Sequence, residues 1–468
     1  MTNKINFKTM KTKFTLLIAL LFLGINASFS QNEECLTKMS LMTEAAKIKN
    51  YDAAYPYLME LRKDCPKYNK GIYVYGEDVL EDKIEKSNGA EKVAFINDLL
   101  KLWEERAMHF ASKTKKGEYD AKACQLKYDY KTELALNDAQ LYKCFDDAFK
   151  GDRENFKNPK SILTYFKLMV SLYDAGQKPA SDLFDKYDDL VEKIDEEVEE
   201  SSVSLNKLIA KEDAGTALTK KDGQYKRYYE SVLKAFDAIS GSLDAELGER
   251  ANCENLIPLY EKGFEDNKSN AVWLQRAAGR MSAKDCTDDP LFFKLVNAYH
   301  NLSPSANSAY YLGILKEKEG KSSEAVKYYE QAISLEGDEF KKAKLYTKIA
   351  YKLEKSGNYG KARIYYSNAL ASNPSNGNPH MAIARMYANS AKNCGDTAFN
   401  KRAVYWLAEQ EAYKAGRVDP TLKSKSSQAA ASYKANAPQK SDIFAEGNAG
   451  KTINIGCWIG RSVTVPSL

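Results

Sequence analysis

The feature that most constrains the fold of this chain is an internal repeat towards its C-terminal end. The matched positions lie 37 residues apart, as from Gly313 to Ala350. The first copy contains Leu312-Gly313, Gly320, Ala325, Tyr329 and Ala332, and the second contains Ile349-Ala350, Gly357, Ala362, Tyr366 and Ala369. Small residues allow two helices to approach closely, and glycine suits the turn between them. The pattern predicts two successive helix-turn-helix units.

This pattern resembles the tetratricopeptide repeat, whose period is about 34 residues. It departs from the repeat at Lys316 and Ala309, which stand at normally aromatic positions, and at Gly337, where a proline is expected. Pro374 restores that proline in the second unit. A third unit is indicated by Ile383-Ala384, Tyr387, Ala408, Ala412, Ala415 and Pro420, with an insertion at 389–400. The resemblance implies an all-α helical-repeat solenoid.

The first thirty residues have the pattern of a cleaved secretory signal peptide. Basic residues (Lys4, Lys8, Lys11, Lys13) precede an apolar run over 14–25, and Ser28 and Ser30 stand just before Gln31. The run is shorter than the ~20 residues of a membrane span. An uncleaved N-terminal anchor is the alternative. Removal of residues 1–30 takes away four lysines and no acid, so the formal charge falls from +5 to +1. This balance argues against a nucleic-acid partner and predicts no membrane span after signal removal.

Eight cysteines support export. Their number is even and none forms a CxxC motif, which favours disulfides over zinc or redox chemistry. Of the 105 possible connectivities, the spacing favours consecutive pairs, because several neighbours lie about one helical hairpin apart. The preferred pairs are Cys35–Cys65, Cys124–Cys144, Cys253–Cys286 and Cys394–Cys457. Buried free thiols are the alternative.

The sequence divides into five predicted regions: a signal peptide (1–30), an N-terminal tetratricopeptide-like region (31–158), a middle block of long helices (159–250), a C-terminal array (251–422), and a linker with a β-hairpin tail (423–468). The middle block is expected to project from the array and to contain a loop over 207–223. Its acidic residues are expected to coat a solvated face, with a metal or basic-partner site as the alternative: Asp188, Asp189, Glu192, Asp195, Glu196, Glu199 and Glu200.

The tail alternates as β-strands do over 452–455 and 462–465, with a turn predicted at Gly460-Arg461. The hairpin is expected to cap the open end of the solenoid, to bury Trp458 and to bond Cys457 to Cys394. A secretion-sorting role is the alternative.

Residues for catalysis are not grouped in this sequence. The three histidines (His109, His300 and His380) fall in different predicted units. The segment 447–452 superficially resembles a phosphate loop, but its glycines have the wrong spacing and it precedes a strand. We therefore predict a chain that is not an enzyme and that holds no cofactor or metal.

Together, the Ser30-Gln31 junction, the paired cysteines, the repeats and the segment 456–460 resemble exported tetratricopeptide proteins of Bacteroidota. The resemblance implies a periplasmic or outer-membrane-associated scaffold that binds a partner protein in the groove of its first helices. A chaperone-like binder of exported proteins and a glycan-binding module are the alternatives. The groove residues so implied are Asn307, Tyr310, Ile314, Glu317, Lys344, Thr347, Tyr351, Glu354, Asn378, Met381 and Arg385. Replacing both Tyr310 and Tyr351 by alanine is expected to weaken binding without unfolding the chain.

Overall fold

The computed structural model describes residues 32–468, so the predicted signal peptide lies outside the described residues. The fold is all-α with one short β-hairpin near its end, which confirms the predicted fold class. The chain forms two compact units, one up to Leu172 and one from Tyr173. The first unit is built from α1 (32–47), α2 (Tyr51–Asp64), α3 (Gly71–Lys86), α4 (Gly89–His109), α5 (Lys116–Asp129), α6 (Asp138–Gly151) and most of α7 (Pro159–Asp174).

The core of the first unit forms where α1 to α4 pack together. Leu58, Ile72, Leu80 and Leu99 are fully buried there. Arg62 of α2 is buried as well, and it forms ion pairs with two acidic residues of α4. Burial of a charge is tolerated when it is paired and hydrogen-bonded.

The second unit contains a long helical hairpin and the repeat array. The hairpin is α8 (Ala180–Asp213) and α9 (Lys220–Leu247). The array comprises α10 (Cys253–Asn267), α11 (Ala271–Ala283), α12 (Pro290–Leu302), α13 (Ala306–Lys318), α14 (Ser322–Leu335), α15 (Glu339–Lys355), α16 (Tyr359–Ser372), α17 (Asn378–Ser390) and α18 (Ala398–Val418), followed by α19 (Lys423–Asn436) and α20 (Lys440–Glu446). The strands are β1 (Thr452–Ile455) and β2 (Arg461–Thr464).

The repeat detected in the sequence corresponds to the helix pairs α13–α14 and α15–α16, and α17–α18 forms the third pair. Gly313 of α13 lies against the ring of Tyr329 on α14, and a Cβ at position 313 would stand 2.3 Å from that ring. Gly320 and Gly357 close the turns with φ of +75° and +77°, a conformation that favours glycine. The small residues of the pattern therefore mark close helix contact and tight turns.

Four cysteine pairs lie at bonding distance, and they are the pairs that the spacing favours. Their Cα–Cα separations are 6.0 Å for Cys35–Cys65, 5.7 Å for Cys124–Cys144, 5.5 Å for Cys253–Cys286 and 5.6 Å for Cys394–Cys457. Cys35 lies near the start of the described part of α1 and Cys65 directly follows α2, so this bond closes the open end of a helical hairpin. Cys253 and Cys286 do the same for α10 and α11.

The β-hairpin packs on the third repeat pair. Ile455, Ile459, Val463 and Val465 are buried. The indole of Trp458 lies 5.5 Å from the rings of both Tyr359 and Tyr387. Its Nε1 donates to the Oγ of Ser390 at 2.9 Å. Trp458 is half-buried, where the sequence predicted a buried side chain.

Several local predictions were wrong. Residues 207–213 continue α8 as helix, because Leu208 and Ile209 are buried there and most of the surrounding residues are helix formers. The predicted linker is largely helix α19, whose Ala430 packs against Ala412 of α18. The β-turn is longer than predicted, since 456–460 connect the strands and Ile455 pairs with Arg461. The insertion in the third unit is shorter, since only 391–397 separate α17 from α18.

Candidate partner groove

The long helix α8 lies along the C-terminal array instead of projecting from it, which corrects the prediction for the middle block. With 34 residues it is ~51 Å long. Its contacts follow the order of the array: Asp188 pairs with Arg280 of α11, Asp195 with Lys344 of α15, and Asp213 with Arg417 of α18. Because both sets of residues run in the same order, α8 spans the array from α11 to α18. We call the surface that holds it the array groove, defined by Arg276, Arg280, Lys344 and Arg417.

Arg280 organises the N-terminal end of the array groove. Its guanidinium donates to the Asp188 carboxylate, to the carbonyl oxygen of Phe184 at 3.0 Å and to the Tyr260 hydroxyl. It also lies over the Phe184 ring, 4.7 Å from the centroid. Burial raises the pKa of Asp188, although Arg280 opposes this shift. The contact is therefore a desolvated ion pair set among aromatic side chains.

Arg276 and Lys344 continue the basic side of the array groove. The Arg276 guanidinium lies 2.9 Å from a carboxylate oxygen of Asp189 and 3.2 Å from one of Glu192. The Lys344 ammonium lies 2.6 Å from a carboxylate oxygen of Asp195. Four of the predicted acids of α8 thus face cations of the array, so the predicted solvated face also carries the contacts with the array. The acids that remain exposed are Glu192, Asp195, Glu196 and Glu200. The sequence analysis gave a basic partner as the alternative for these acids, and the basic residues that they meet belong to the array of the same chain.

Lys348 lies one turn along α15 from Lys344, and its ammonium lies 5.6 Å from the centroid of the Tyr310 ring. Its side chain is exposed to solvent. Its pKa is nevertheless lowered, first by desolvation from the surrounding protein and then by Lys344.

The middle of α8 makes polar contacts. The Asn206 amide donates to the side-chain oxygen of Asn373 at 3.1 Å and accepts from the backbone N–H of Ser375 at 2.8 Å. Glu199 contacts Asp338, which caps the N-terminus of α15 by accepting from the backbone N–H of Lys341 at 2.8 Å. Burial and this neighbouring carboxylate raise the pKa of Glu199. Lys341 and Lys344 oppose this shift.

The C-terminal part of α8 is held by apolar packing. Leu205 and Ile209 form a buried cluster with Leu233 of α9 and Val418 of α18. The backbone of α8 packs closely against α9, whereas the array helices are reached mainly through long side chains. The two helices therefore form a hairpin whose α8 edge occupies the array groove.

The structure distributes the predicted groove residues over several environments. Tyr310 and Ile314 are buried, at 6% and 1% exposure, so Tyr310→Ala is expected to destabilise the fold. Lys344 contacts α8, and Glu354 forms an ion pair with Arg385 at 2.8 Å. Asn307, Tyr351 and Asn378 are exposed, and Glu317, Thr347 and Met381 are partly buried. Residues on α11 were missed because the resemblance implied only the three most regular units, and those on α18 because it implied only the first helix of each unit. The sequence signal that could have located these residues was the match between the acidic residues of the 34-residue helix α8 and the basic residues on α11, α15 and α18.

The histidines have separate local partners. The Nδ1 of His380 lies 2.6 Å from a carboxylate oxygen of Glu411, and the Nδ1 of His300 lies 2.9 Å from the Oγ of Ser308. His109 packs against Tyr73. Within residues 32–468, no group of His, Cys, Asp or Glu is arranged to hold a metal ion. No helix in the same range is long and apolar enough to cross a membrane.

The fold and the groove define a class: a helical-repeat protein whose array holds a helix across α11, α15 and α18. Neither a protein-family model nor a curated protein matches the chain. Three solved structures that match are a monomeric IFIT1 mutant with m7Gppp-AAAA, yeast Tom70 and the APC/C hetero-tetramer Cut9-Hcn1.

The IFIT1 structure is 14% identical with a TM-score of 0.31, over 79% of this chain and 80% of that one. Tom70 is 13% identical with a TM-score of 0.32, over 89% and 90%. Cut9-Hcn1 is 12% identical with a TM-score of 0.28, over 87% and 86%. These scores are too low to align the molecules in detail, so the repeat assignment rests on the helix pairs of this chain.

Proposed function

We propose that this protein is an exported, non-enzymatic scaffold of the cell envelope that binds a partner protein through its C-terminal array. The observation that carries the proposal is the array groove with α8 in it. Contacts at three places along the groove, Arg280, Lys344 and Arg417, meet carboxylates in register with a single helix. A surface that selects a helix by spaced charges and an apolar cluster has the properties of a helix-in-groove binding site.

Export is supported by the cysteines. All eight lie in disulfide pairs, and such bonds persist in oxidising compartments outside the cytosol. The basic and apolar pattern of the first thirty residues also supports export, because it is typical of a secretory signal peptide. A periplasmic or outer-membrane-associated location follows from the resemblance described above.

The test is a native pull-down of the tagged mature chain from the envelope of the cells that make it, with identification by mass spectrometry. A scaffold should recover one or two proteins at near-equal amounts. A matched control carries Lys344→Asp and Arg417→Asp, two partly exposed groove residues whose replacement should not unfold the array. A partner bound through the groove should be lost from this control.

Other outcomes would identify the alternatives. Many exported proteins at low stoichiometry, recovered equally by both chains, would indicate chaperone-like binding. Recovery of no protein by the wild-type chain, together with retention on envelope polysaccharide, would indicate a glycan-binding module. Either result would overturn the scaffold proposal.

A further inference from the structure

Two of the ion pairs that hold α8 in the array groove are accessible to solvent, whereas the Asp188–Arg280 pair is buried. Lys344 and Asp195 keep 39% and 53% of their side-chain area exposed, and Arg417 and Asp213 keep 58% and 51%. Exposed pairs of this kind contribute about 0–1 kcal/mol each. They therefore select the charge and register of the helix in the groove more than they hold it in place.

The fit of α8 is incomplete at its N-terminal end. A cavity of about 150 Å³ remains between Ser181, Phe184 and Asp185 of α8 and the facing surface of α10 and α11. The Nε atoms of Arg276 and Arg280 are buried without a hydrogen-bond acceptor in the described part of the chain. A buried donor left unsatisfied costs about 1–3 kcal/mol. Another helix that fills the cavity and supplies acceptors would fit this end better.

A like-charge contact adds to this mismatch. Glu199 of α8 faces Asp338 at the start of α15, and its pKa is raised first by burial and then by this carboxylate. Two carboxylates in contact disfavour double ionisation, and Lys341 and Lys344 offset this repulsion only in part, since the pKa of Glu199 remains raised. A serine or glutamine at this place in another helix could donate to Asp338 instead.

No disulfide joins the α8–α9 hairpin to the array. None of the eight cysteines lies between 173 and 248, so no disulfide holds the hairpin. Gly176 precedes it and Gly248 follows it, with φ of +69° and +47°. These features distinguish the hairpin from the segments of the chain that are bonded in place.

We infer that α8 is an intramolecular competitor for the array groove, and that the groove accepts an acidic amphipathic helix of the partner protein in its place. The inference rests on the proposed function and names the chemistry of its partner. The partner helix places carboxylates opposite Arg276, Lys344 and Arg417, and apolar side chains where Leu205 and Ile209 meet Val418. Its binding requires α8 to leave the groove, so α8 sets the apparent affinity.

The experiment uses the full mature chain and a fluorescent synthetic peptide of residues 180–213 as the probe. A release variant carries Asp195→Lys and Asp213→Arg, which weaken α8 only. A groove variant carries Lys344→Asp and Arg417→Asp, and a swap variant carries all four changes. A second peptide carries the same two reversals as the release variant. Binding is followed by fluorescence anisotropy at low salt.

The release variant should bind the native-sequence peptide about tenfold more tightly than the wild-type chain, because its groove is open in a larger fraction of molecules. The groove variant should prefer the reversed peptide. The swap variant should bind both peptides as weakly as the wild-type chain, since its pairs are restored with opposite sign. Failure of the release variant to gain affinity, or equal binding of both peptides by it, would overturn the inference.

Hydrogen exchange provides a second, independent measurement. The amides of α8 should exchange faster in the release variant than in the wild-type and swap chains, while those of α2 to α4 stay unchanged. Unchanged exchange in α8 would show that the helix is not held as argued. If the pull-down recovers a stoichiometric partner while the peptide does not bind, the competitor proposal fails and the scaffold stands. If the peptide binds while the pull-down recovers no partner, the scaffold proposal fails and the competitor proposal stands.

Discussion

The β-hairpin and helix α8 are two additions to the same repeat array, and they are attached in different ways. The hairpin is tied by the Cys394–Cys457 bond and packs four buried aliphatic side chains. Helix α8 has no disulfide, and its contact with the array combines exposed ion pairs with the buried Asp188–Arg280 pair and the apolar cluster around Leu205. We therefore expect the hairpin to be a permanent part of the array, whereas we propose that α8 is an exchangeable one. The difference lies in the disulfide, because both segments bury apolar side chains against the array.

The largest expected effect tests the permanence of the hairpin. Replacing both Cys394 and Cys457 by serine should lower the free energy of unfolding of the C-terminal unit by about 2–5 kcal/mol, because the unfolded chain loses a constraint. Denaturant unfolding combined with hydrogen exchange of β2 and α17 measures this. The matched control replaces Cys35 and Cys65, and it should affect only the first unit. Unchanged protection of β2 would contradict the comparison.

The next effect concerns the apolar part of α8. Leu205 is 1% exposed within the cluster that joins α8, α9 and α18, so Leu205→Ala should cost about 2–3 kcal/mol. Exchange of the α8 amides should increase while the hairpin strands keep their protection. Val203→Ala on the same helix is the control, since Val203 is 45% exposed. Equal loss of protection in the β-hairpin would mean that the two additions are not independent.

A smaller effect is expected from the central ion pair. Asp195→Lys or Lys344→Asp alone should weaken the hold on α8, and the double exchange should restore it, with a coupling energy of about 0.2–1 kcal/mol. The coupling is measured by hydrogen exchange of α8 in a double-mutant cycle. It should fade at about 1 M salt, where screening is strong. A coupling energy that persists at high salt would mean that the Asp195–Lys344 ion pair holds α8 permanently, which would contradict the comparison.

The smallest effect is pH-dependent. Because the pKa of Glu199 is raised in the folded protein, the unfolded chain loses this proton first as the pH rises. The resulting penalty on folding is absent below the usual glutamate range and complete above the raised pKa. Glu199→Gln should therefore slow exchange of α8 at about pH 7 and change little at about pH 4. Slower exchange at both pH values would point to a packing effect.

Much of the array could be predicted from the sequence because its signals are local. Gly313, Ala325 and Tyr329 recur at a fixed offset, and each acts on a helix or turn a few residues away. The cysteine spacing likewise indicates bonds across single hairpins. The wrong predictions concern segments whose neighbours are distant in sequence. Residues 207–213 and α19 looked polar, and their few buried side chains decide that they are helical.

The residues of the candidate groove also divide into those that the sequence located and those that only the structure placed there. The repeat pattern located Lys344 and Arg385 on first helices, but it did not show that Tyr310 and Ile314 are buried or that Arg276, Arg280 and Arg417 complete the surface. The acidic side of α8 was visible in the sequence as charge. The role of this charge depends on Arg276, which lies 87 residues from Asp189 in the sequence, and on Arg280, which lies 92 residues from Asp188.

The amino-acid sequence alone determined the helical units, their turns and the spacing of the cysteines, because small residues, glycines and apolar periods act within one hairpin. Only the tertiary structure decided that α8 lies in the array groove. That placement depends on carboxylates and an apolar cluster meeting partners far along the chain. Such contacts leave no periodic trace, since each side alone looks like an ordinary charged helix surface.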